Sequence, residues 1–305
     1  MRVTVTGASG LIGAALVAEL REHGAEITVL SRDPSRVRVA TGVEAVGWDP
    51  LSEPAPVEAL AGADAVVHLA GENIAQRWSG QAKRAILQSR VAGTRNLLAG
   101  LEAAGLESGQ RPWTLISGSA IGYYGAHGEE PLDEDAPPGS DFLAETCVAW
   151  ETEAQQATAL GMRVVLMRTG VVLDRDGGAL RKMLPPFQLG IGGPVAGGAQ
   201  YISWIHREDL LGIIGAALED ERWSGPVNGT APGPVSNRDF SHALGHALHR
   251  PALLPVPGIA LRALYGEMAA IVTTGARVMP AKALVLGYRF RHPELDEALR
   301  SALAN

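Results

Sequence analysis

Three glycines spaced three residues apart form the clearest candidate site in the sequence. Gly7, Gly10 and Gly13 lie in G-A-S-G-L-I-G, between a β-branched run and a helical pattern. In such a context the first glycine allows a tight turn, the second lets the backbone approach a diphosphate, and the third lets helix and strand pack closely. Because a helix N-terminus also attracts anions, the loop predicts a dinucleotide site. A glycine-rich turn without a ligand is the alternative.

The residues that would choose between dinucleotides lie about 20 positions further on, at the end of the second predicted strand. Ser31 and Arg32 occupy that place, with Arg36 and Arg38 nearby. A guanidinium pairs with the 2′-phosphate of NADP, whereas a carboxylate binds the 2′-hydroxyl of NAD. Asp33 is the candidate for NAD, but it comes one position late. We therefore predict NADP(H), with an ordinary solvated Arg32 as the other interpretation.

Short apolar strands alternate with helical patterns through the first two-thirds of the chain. The pattern predicts strands at 3–6, 26–30, 65–69, 113–117 and 163–172, and helices at 11–23, 79–104 and 143–160. Alternation with short connections is typical of the α/β class with a Rossmann-type doubly wound parallel sheet. Ligands of this fold bind at the carboxyl ends of the strands.

The pattern loosens after residue 173, where Gly- and Pro-rich segments follow. We predict an NADP-binding Rossmann domain over 1–175, to which 200–232 returns, and we expect residues 203–209 to rejoin the sheet. A smaller C-terminal lobe, for the substrate, is predicted over 176–199 and 233–305. Such a lobe would leave a crevice beside the carboxyl ends of the strands.

The composition is that of an ordinary globular chain: 305 residues, 46% hydrophobic, 19% charged, with a net charge of -7. A chain with Lys+Arg 26 against Asp+Glu 33 and no basic block is not expected to bind nucleic acid. No apolar run predicts a membrane span, and the N-terminus does not resemble a signal peptide. The lone Cys147 fits a reducing compartment. We expect a cytoplasmic protein with a small-molecule substrate, no membrane partner, and a homodimer as the assembly to test.

Longer motifs are similar to those of the extended short-chain dehydrogenase/reductases. They are the glycine loop, D-A-V-V-H-L-A-G at 64–71, S-G-S-A-I-G-Y-Y-G at 117–125 and S-W-I-H-R-E-D-L at 203–210. Four further segments resemble one branch, the epimerase-family or nucleoside-diphosphate-sugar-epimerase-like proteins with a short C-terminal domain of unknown role. These are G-E-N-I-A with Arg77-Trp78, S-R-V-A-G-T-R-N-L from Ser89, D-G-G-A-L-R-K-M-L-P-P-F from Asp176, and L-P-V-P-G from Leu254.

Taken with the glycine loop, the resemblance implies a cofactor along the carboxyl edge of the sheet. The predicted cofactor-binding residues are Gly7, Ser9, Gly10, Leu11, Ile12, Gly13, Ser31, Arg32, Leu69, Ala70, Gly71, Glu72, Ser117, Thr169 and Gly170. Glu72 has an alternative interpretation as an acid at a helix N-terminus, stabilised by the helix dipole. Arg77, Lys83 and Arg90 either draw an anionic substrate into the cleft or form a solvated helix face.

The chain lacks the catalytic pair of residues found in the enzymes that it resembles. They place a Tyr four residues before a Lys on a helix, where the Lys lowers the pKa of the phenol and the phenol exchanges a proton with the substrate. None of the lysines Lys83, Lys182 and Lys282 lies four residues after a tyrosine. Leu143 and Cys147 fall where Tyr and Lys are expected, so the standard mechanism is absent.

Other hydroxyl groups are candidates to replace that pair. In the enzymes that the sequence resembles, a Ser or Thr hydrogen-bonds to the substrate oxygen. Ser119 matches that residue, and Tyr123 and Tyr124 follow it. We predict Ser119, Tyr123 and Tyr124 as catalytic residues, the alternative being that both rings pack the cleft wall. Cys147 is either a nucleophile or, in the simpler interpretation, a small core residue.

Three histidines, His242, His246 and His249, recur at helical spacing. Three imidazoles on one helix face can bind zinc. The stretch has no H-E-x-x-H arrangement and is far in sequence from the cofactor motifs, so we predict an exposed helix face and no metal site.

Two functions of different classes remain open. The first is an atypical NADP(H)-dependent oxidoreductase or epimerase acting on a small polar or nucleotide-linked substrate. The second is a non-catalytic NADP(H)-binding redox sensor or scaffold, which the missing Tyr and Lys favour.

Overall fold

The computed structural model describes residues 1–37, 42–108 and 114–304. The strands are β1 Arg2–Thr6, β2 Glu26–Ser31, β3 Val43–Gly47, β4 Ala65–His68, β5 Thr114–Ala120, β6 Pro131–Leu132, β7 Arg163–Thr169, β8 Val171–Leu173, β9 Tyr201–Ile202, β10 Trp204–His206, β11 Gly225–Gly229, β12 Val235–Ser236 and β13 Arg277–Val278. The helices are α1 Leu11–Glu22, α2 Gly80–Ser108, α3 Phe142–Gln155, α4 Gly178–Gln188, α5 Arg207–Glu219, α6 Asn237–Ala247, α7 Gly258–Tyr265, α8 Ala270–Thr273, α9 Ala281–Val285 and α10 Leu295–Ala304.

The central sheet has seven strands in the order β11-β7-β5-β4-β1-β2-β3. All its pairs are parallel. The chain builds outward from β1 to β3 on one side, and then crosses to β4 on the other side of β1. This is the strand order of a doubly wound sheet, whose ligand crevice opens where the direction of winding reverses. The predicted Rossmann-type α/β fold is confirmed.

Both faces of the sheet are covered, which explains the nearly continuous apolar strands. All four residues of β4 are buried. One face packs against α1 and α5 in a cluster that includes Leu16, Val67 and Ile213. The other face packs against α2, with Leu97 and Leu115 in a second cluster. The crevice at the carboxyl ends of the strands therefore rests on a layered core.

The structure differs from the sequence predictions at three places. β3 was not predicted. The segment predicted to return to the sheet at 203–209 instead pairs through β10 with β8, in a separate two-stranded sheet. The strand predicted over 163–172 is interrupted at Gly170, where a Cβ would lie 2.5 Å from the carbonyl oxygen of Ser203. Arg38 and Trp113, named in the sequence predictions, lie outside the described residues.

A third core cluster is formed by residues of the second half of the chain. It joins β8 and α4 to β10, α6 and α10, with Trp204, Phe240 and Leu299 in its interior. The division of the chain into the two predicted domains stays a prediction. Among the helices of the described residues, none combines the length and the apolarity that crossing a membrane requires.

Candidate functional site

The N-terminus of α1 is left open for an anion. Gly10 is its N-cap residue, no side chain caps the helix, and its first turn carries no acidic residue. The amide of Ala14 donates to the carbonyl of Gly10, so the amides of Leu11, Ile12 and Gly13 precede the first intrahelical hydrogen bond. Backbone donors that face outward in this way fit the diphosphate of a dinucleotide.

The three glycines of the loop meet different demands. Gly7 has a positive φ of 72°, and a Cβ there would lie 2.7 Å from the carbonyl carbon of Leu69. At Gly13 a Cβ would lie 2.3 Å from the oxygen of Gly7. At Gly10 the closest atom, again the oxygen of Gly7, is 3.3 Å away. Internal packing therefore requires Gly7 and Gly13, while the outer side of Gly10 is a space that a ligand can fill.

Arg32 follows β2 at the carboxyl edge of the sheet and is exposed. The hydroxyl of Ser31 accepts from the amide of Asp33 at 3.2 Å. The pKa of nearby Asp49 is lowered, mainly by a hydrogen bond from the amide of Leu51 and in smaller part by the positive charge of Arg32. The guanidinium therefore lies beyond the carboxyl end of β2 on the side of Asp49, and its contact with a 2′-phosphate stays a prediction.

The segment after β4 forms the next part of this edge. Leu69 and Ala70 are half-buried and Gly71 is exposed. The amide of Glu72 donates to the hydroxyl of Ser89 at 2.9 Å. Because α2 begins only at Gly80, the interpretation of Glu72 as an acid at that helix N-terminus is wrong.

Three predicted cofactor residues lie on β5 and at the end of β7. Ser117 is fully buried, and its hydroxyl donates to the carbonyl of Gly118 at 3.3 Å. Thr169 and Gly170 are half-buried. Gly170 is needed for the close approach to Ser203 described above, and the cofactor roles of all three residues stay predictions.

A buried ion pair organises the other side of the crevice. Arg168 of β7 donates from Nε and Nη2 to the two carboxylate oxygens of Glu151 on α3, each at 2.8 Å. Its Nη1 donates to the Tyr124 hydroxyl at 3.0 Å and to the Glu134 carbonyl at 3.1 Å. The Ser119 hydroxyl donates to Glu151 at 2.6 Å. Such bidentate, fully hydrogen-bonded geometry is what a buried charge pair needs to be tolerated.

This network engages two of the three predicted catalytic hydroxyls. Ser119 is 6% exposed and Tyr124 is 0% exposed. The Tyr124 hydroxyl also donates to Asn228 at 2.7 Å, and burial raises its pKa to about 12. The burial and contacts of Tyr124 weigh against the prediction that it donates a proton to a substrate. The catalytic role of Ser119 stays a prediction.

Tyr123 lies differently. It is half-buried, and its ring stacks on the guanidinium of Arg168, with Cζ 3.5 Å from the ring centroid. Among the described residues its hydroxyl has no hydrogen-bond partner, whereas its carbonyl accepts from the amide of Gly139. Of the three predicted catalytic residues, Tyr123 is the one whose hydroxyl is free to meet a substrate.

We expect Ser119→Ala to destabilise the protein by about 1.5–3 kcal/mol, because it removes a hydrogen bond to a buried carboxylate. Urea unfolding measures the loss. Ser119→Thr, which keeps the hydroxyl, is the matched control and should retain most of the stability. If Ser119→Ala unfolds at the same urea concentration as the wild type, the bond to Glu151 contributes little, and Ser119 is free to serve a substrate.

Leu143 and Cys147 share the face of α3 that packs against residues 121–124. A Cβ built at Gly122 would lie 3.3 Å from Cβ of Leu143 and 4.0 Å from Sγ of Cys147. Burial, and to a smaller extent the charge of Glu151, raises the pKa of the Cys147 thiol to about 11. A thiol that stays protonated at neutral pH is a poor nucleophile, so the core interpretation of Cys147 is favoured.

The three cations near the predicted cleft have different partners. Arg77 is exposed and lies beside Gly266. Lys83 forms an ion pair with Glu267, so it joins the α2 side of the cleft to the segment after α7. Arg90 turns inward, toward the loop after β4. The prediction that these residues are either substrate-binding or solvated stays open for Arg77.

The histidines predicted to form an exposed face are all exposed. The helix α6 ends at Ala247, however, and His249 lies beyond it with a positive φ of 54°. Only His242 and His246 lie on the helix, so the prediction that the three histidines share one helical face is wrong.

A different group brings metal-ligating atoms together. Within the described residues, His206, Glu208 and His292 offer ligand atoms within 4.8 Å of one another. Nδ1 of His206 accepts from the amide of Glu208 at 3.2 Å and caps α5. In a neutral imidazole the proton must then lie on Nε2, which leaves that ring without a lone pair for a metal. The prediction that the protein has no metal site stays a prediction.

Sequence reasoning missed the members of the ion-pair network other than its hydroxyls. They are Glu134, Glu151, Arg168 and Asn228. One signal was available: Arg168 interrupts an otherwise apolar strand, and an arginine there must find a buried anion. Which anion it finds depends on the packing of α3 against β7.

Comparisons with known proteins agree with this architecture. Residues 3–227 match the NAD dependent epimerase/dehydratase family, and residues 256–302 match a domain of unknown function, DUF1731. The chain is 41% identical over 304 residues to the chloroplastic epimerase family protein SDR39U1 homolog of Arabidopsis thaliana, covering 99% of this chain and 87% of that protein. It is 37% identical to the epimerase family protein YfhF of Bacillus subtilis, covering 100% and 99%.

Solved structures give the same relationship. The crystal structure of human epimerase family protein SDR39U1 with NADPH superposes with a TM-score of 0.87 at 36% identity, and covers 100% of both chains. MoeE5, solved with UDP-glucose and NAD, has a TM-score of 0.78 at 23% identity, covering 100% and 98%, and shares the fold. The family model spans the glycine loop and the doubly wound sheet, and the chain belongs to the NAD dependent epimerase/dehydratase family.

Proposed function

We propose that the protein is an NADP(H)-dependent oxidoreductase or epimerase acting on a small polar or nucleotide-linked substrate. The observation that carries the proposal is the uncapped N-terminus of α1 with the open side of Gly10. Arg32 beyond β2 favours the 2′-phosphorylated dinucleotide. The relative solved with NADPH supports the choice of cofactor. The UDP-glucose bound to MoeE5 supports a nucleotide-linked substrate by fold analogy.

In this proposal each group of residues has a separate task. The amides of Leu11, Ile12 and Gly13 hold the diphosphate, and Arg32 pairs with the 2′-phosphate. When bound, the nicotinamide supplies or accepts a hydride at the substrate carbon. The hydroxyl of Tyr123 exchanges a proton with the substrate oxygen, while the guanidinium of Arg168 stacks on its ring and holds it in place.

Replacing Arg32 with aspartate should weaken NADPH binding at least about 10-fold more than NADH binding, because a charge-assisted pair with the 2′-phosphate becomes a repulsion. Fluorescence titration gives both dissociation constants. Arg300→Asp, an exposed position on α10, is the control for the change in net charge. Equal weakening of both dinucleotides would place the phosphate contact elsewhere.

The second function, a non-catalytic NADP(H)-binding sensor or scaffold, rests on a specific observation. On α3, an apolar side chain and a buried, protonated thiol stand at Leu143 and Cys147, where the enzymes that the sequence resembles have a phenol and a fixed cation. If Tyr123 does not reach a substrate, the protein would bind the dinucleotide and respond to its redox state without turnover.

One experiment separates the two functions. The protein is incubated with a panel of nucleotide-linked sugars and small carbonyl compounds, in one set with NADPH labelled with deuterium at C4 and in a second set with NADP+, because an epimerase must first oxidise its substrate. Deuterium in a product of the first set, lost in Tyr123→Phe, would establish the oxidoreductase. A nucleotide-linked sugar whose configuration changes in the second set without net formation of NADPH would establish the epimerase. Tight NADPH binding with no deuterium transfer and no epimerisation across the panel would overturn the enzyme and favour the sensor.

A further inference from the structure

The ring of Tyr123 lies in apolar surroundings. It packs against a small buried cluster that contains Leu132 of β6 and Val278 of β13. On the side of α3, the neighbouring Gly122 lies against Leu143, since a Cβ built at Gly122 would be 3.3 Å from Cβ of Leu143. Most of the side chains around the free hydroxyl of Tyr123 therefore offer a ligand van der Waals contact rather than hydrogen bonds.

The polar groups nearby are already used inside the protein. The Ser119 hydroxyl donates to Glu151, and the Tyr124 hydroxyl donates to Asn228. Arg168 donates to Glu151, to Tyr124 and to a backbone carbonyl. A polar group that is buried without a hydrogen-bond partner costs about 1–3 kcal/mol. A sugar ring, with a hydroxyl on most of its carbons, would leave several groups unpaired here, whereas a substrate with one oxygen at its reacting end needs only one free hydroxyl.

Two aromatic side chains lie at the carboxyl edge of the sheet, where the crevice opens. Trp78 precedes α2, and Phe142 is the first residue of α3. Both helices begin at this edge, because each leads from the end of one parallel strand back to the start of the next. The two ring centroids are 5.1 Å apart in an edge-to-face arrangement, and both side chains are half-buried. The exposed parts of these rings can contact an apolar group of a ligand.

Cations lie at the same edge. Arg77 is exposed beside Gly266, in the segment after α7, and its side chain has no hydrogen-bond or ion-pair partner in the part of the chain that the structure describes. Lys182 of α4 is also exposed, and it reaches the carbonyl of Ala75 at 3.4 Å. A guanidinium without a partner can bind a carboxylate or a phosphate through charge-assisted hydrogen bonds. The edge that carries the aromatic rings therefore also suits an acidic group.

We propose that the substrate is an anion with an apolar body, whose one reacting oxygen meets the hydroxyl of Tyr123 and whose acidic group meets Arg77. Trp78 and Phe142 contact the apolar body. This inference rests on the proposed function, because it places the substrate beside NADP(H) in the crevice. Within the proposed substrate classes it selects small anionic carbonyl compounds, or the corresponding alcohols, over nucleotide-linked sugars.

Three matched ligands test the proposal. Phenylpyruvate has an apolar body, a carbonyl group and a carboxylate. A keto sugar acid, 2-keto-D-gluconate, keeps the carbonyl group and the carboxylate but has hydroxyls in place of the apolar body. Phenylacetone keeps the apolar body and the carbonyl group but has a methyl group in place of the carboxylate. Isothermal titration into protein saturated with NADP+ measures binding without reduction of the ligand. We expect phenylpyruvate to bind at least about 10-fold more tightly than either of the others.

Two variants separate the contacts to the acidic group and to the apolar body. Arg77→Gln should weaken phenylpyruvate about 10-fold, because a charge-assisted pair is lost, and leave phenylacetone unchanged. Trp78→Leu should weaken both ligands about 3- to 10-fold, because an aromatic contact is lost. Both variants should bind NADP+ as the wild type does. Arg300→Gln, at an exposed position of α10, removes the same charge elsewhere and should bind phenylpyruvate as the wild type does.

The outcomes distinguish this inference from the proposed function. A wild type that binds NADP+ but does not bind phenylpyruvate, or binds 2-keto-D-gluconate as tightly, would overturn the inference and leave the proposed function in place. Parallel loss of NADP+ and phenylpyruvate in Arg77→Gln and Trp78→Leu would also overturn it, by showing that these residues support the fold or the dinucleotide. A wild type that does not bind NADP+ would overturn the proposed function itself.

Discussion

Gly10→Ala will leave the protein folded and weaken NADPH binding about 10- to 100-fold, because a methyl group will occupy the place that we propose for the diphosphate beside the backbone amides. Gly10 has φ −82° and ψ 169°, a conformation that alanine adopts without strain. The closest atom to the new methyl is the carbonyl oxygen of Gly7 at 3.3 Å, so a shift of a few tenths of an ångström accommodates it. Thermal melting and fluorescence titration of NADPH measure the two effects.

Gly13→Ala is the matched comparison, three residues further along the same loop. Its methyl would lie 2.3 Å from the Gly7 oxygen and 2.9 Å from Cα of Ala8, so the backbone of the loop must move. We expect this variant to lose stability as well as NADPH. Should Gly10→Ala bind NADPH as tightly as the wild type, the dinucleotide does not use the N-terminus of α1, and the proposed function fails with it.

Acidification from pH 6.5 to pH 4 will destabilise the protein by on the order of 3 kcal/mol for each of two buried histidines. Burial lowers the pKa of His68 and of His206 to about 4 in the folded state, from 6.5. The unfolded chain therefore binds these protons first as the pH falls. The stabilisation is complete above pH 6.5 and is lost as the pH approaches 4. The urea midpoint, measured across this range, should fall steeply.

The contacts of the two imidazoles explain why they stay neutral. Nδ1 of His68 shares a hydrogen bond of 2.8 Å with the Thr6 hydroxyl, and Nε2 is buried without a hydrogen-bond partner among the described residues, so the second proton of a charged imidazole would lack an acceptor. His206 is surrounded by Arg207, Glu208 and Asp209 of α5 and by His292, whose ring centroid lies 3.8 Å away. Burial and His292 lower the pKa of His206 by more than the carboxylates of Glu208 and Asp209 raise it.

His206→Asn tests one of the two contributions. Asparagine keeps the capping oxygen for the Glu208 amide but does not titrate. The variant should therefore lose about half of the pH dependence of stability, whatever its stability at pH 7. The exposed His242→Asn should leave the pH dependence as it is. An unchanged slope in His206→Asn would mean that His206 already carries a proton in the folded protein.

Local patterns were enough to predict most of the sheet. β1, β2, β4, β5 and β7 are short apolar runs, and being buried on both faces leaves them few polar positions. β3 was missed because its residues Val43–Gly47 form an edge strand, where burial constrains the sequence less. The return of residues 203–209 to the main sheet was predicted wrongly, because an apolar run shows that a strand is buried and not which strand it pairs with.

The candidate site divides in the same way. The sequence by itself determined the glycine loop, the place of Arg32 after β2, and the absence of Tyr and Lys at Leu143 and Cys147, since each of these depends on residue types at fixed spacing within one strand–helix unit. The tertiary structure decided which hydroxyls are free. Arg168 donates hydrogen bonds to Glu151 and Tyr124, and Ser119 donates to Glu151, so that these side chains form one buried network. It leaves Tyr123 open, because a buried guanidinium must satisfy its donors with whatever groups the packing of distant segments brings within reach.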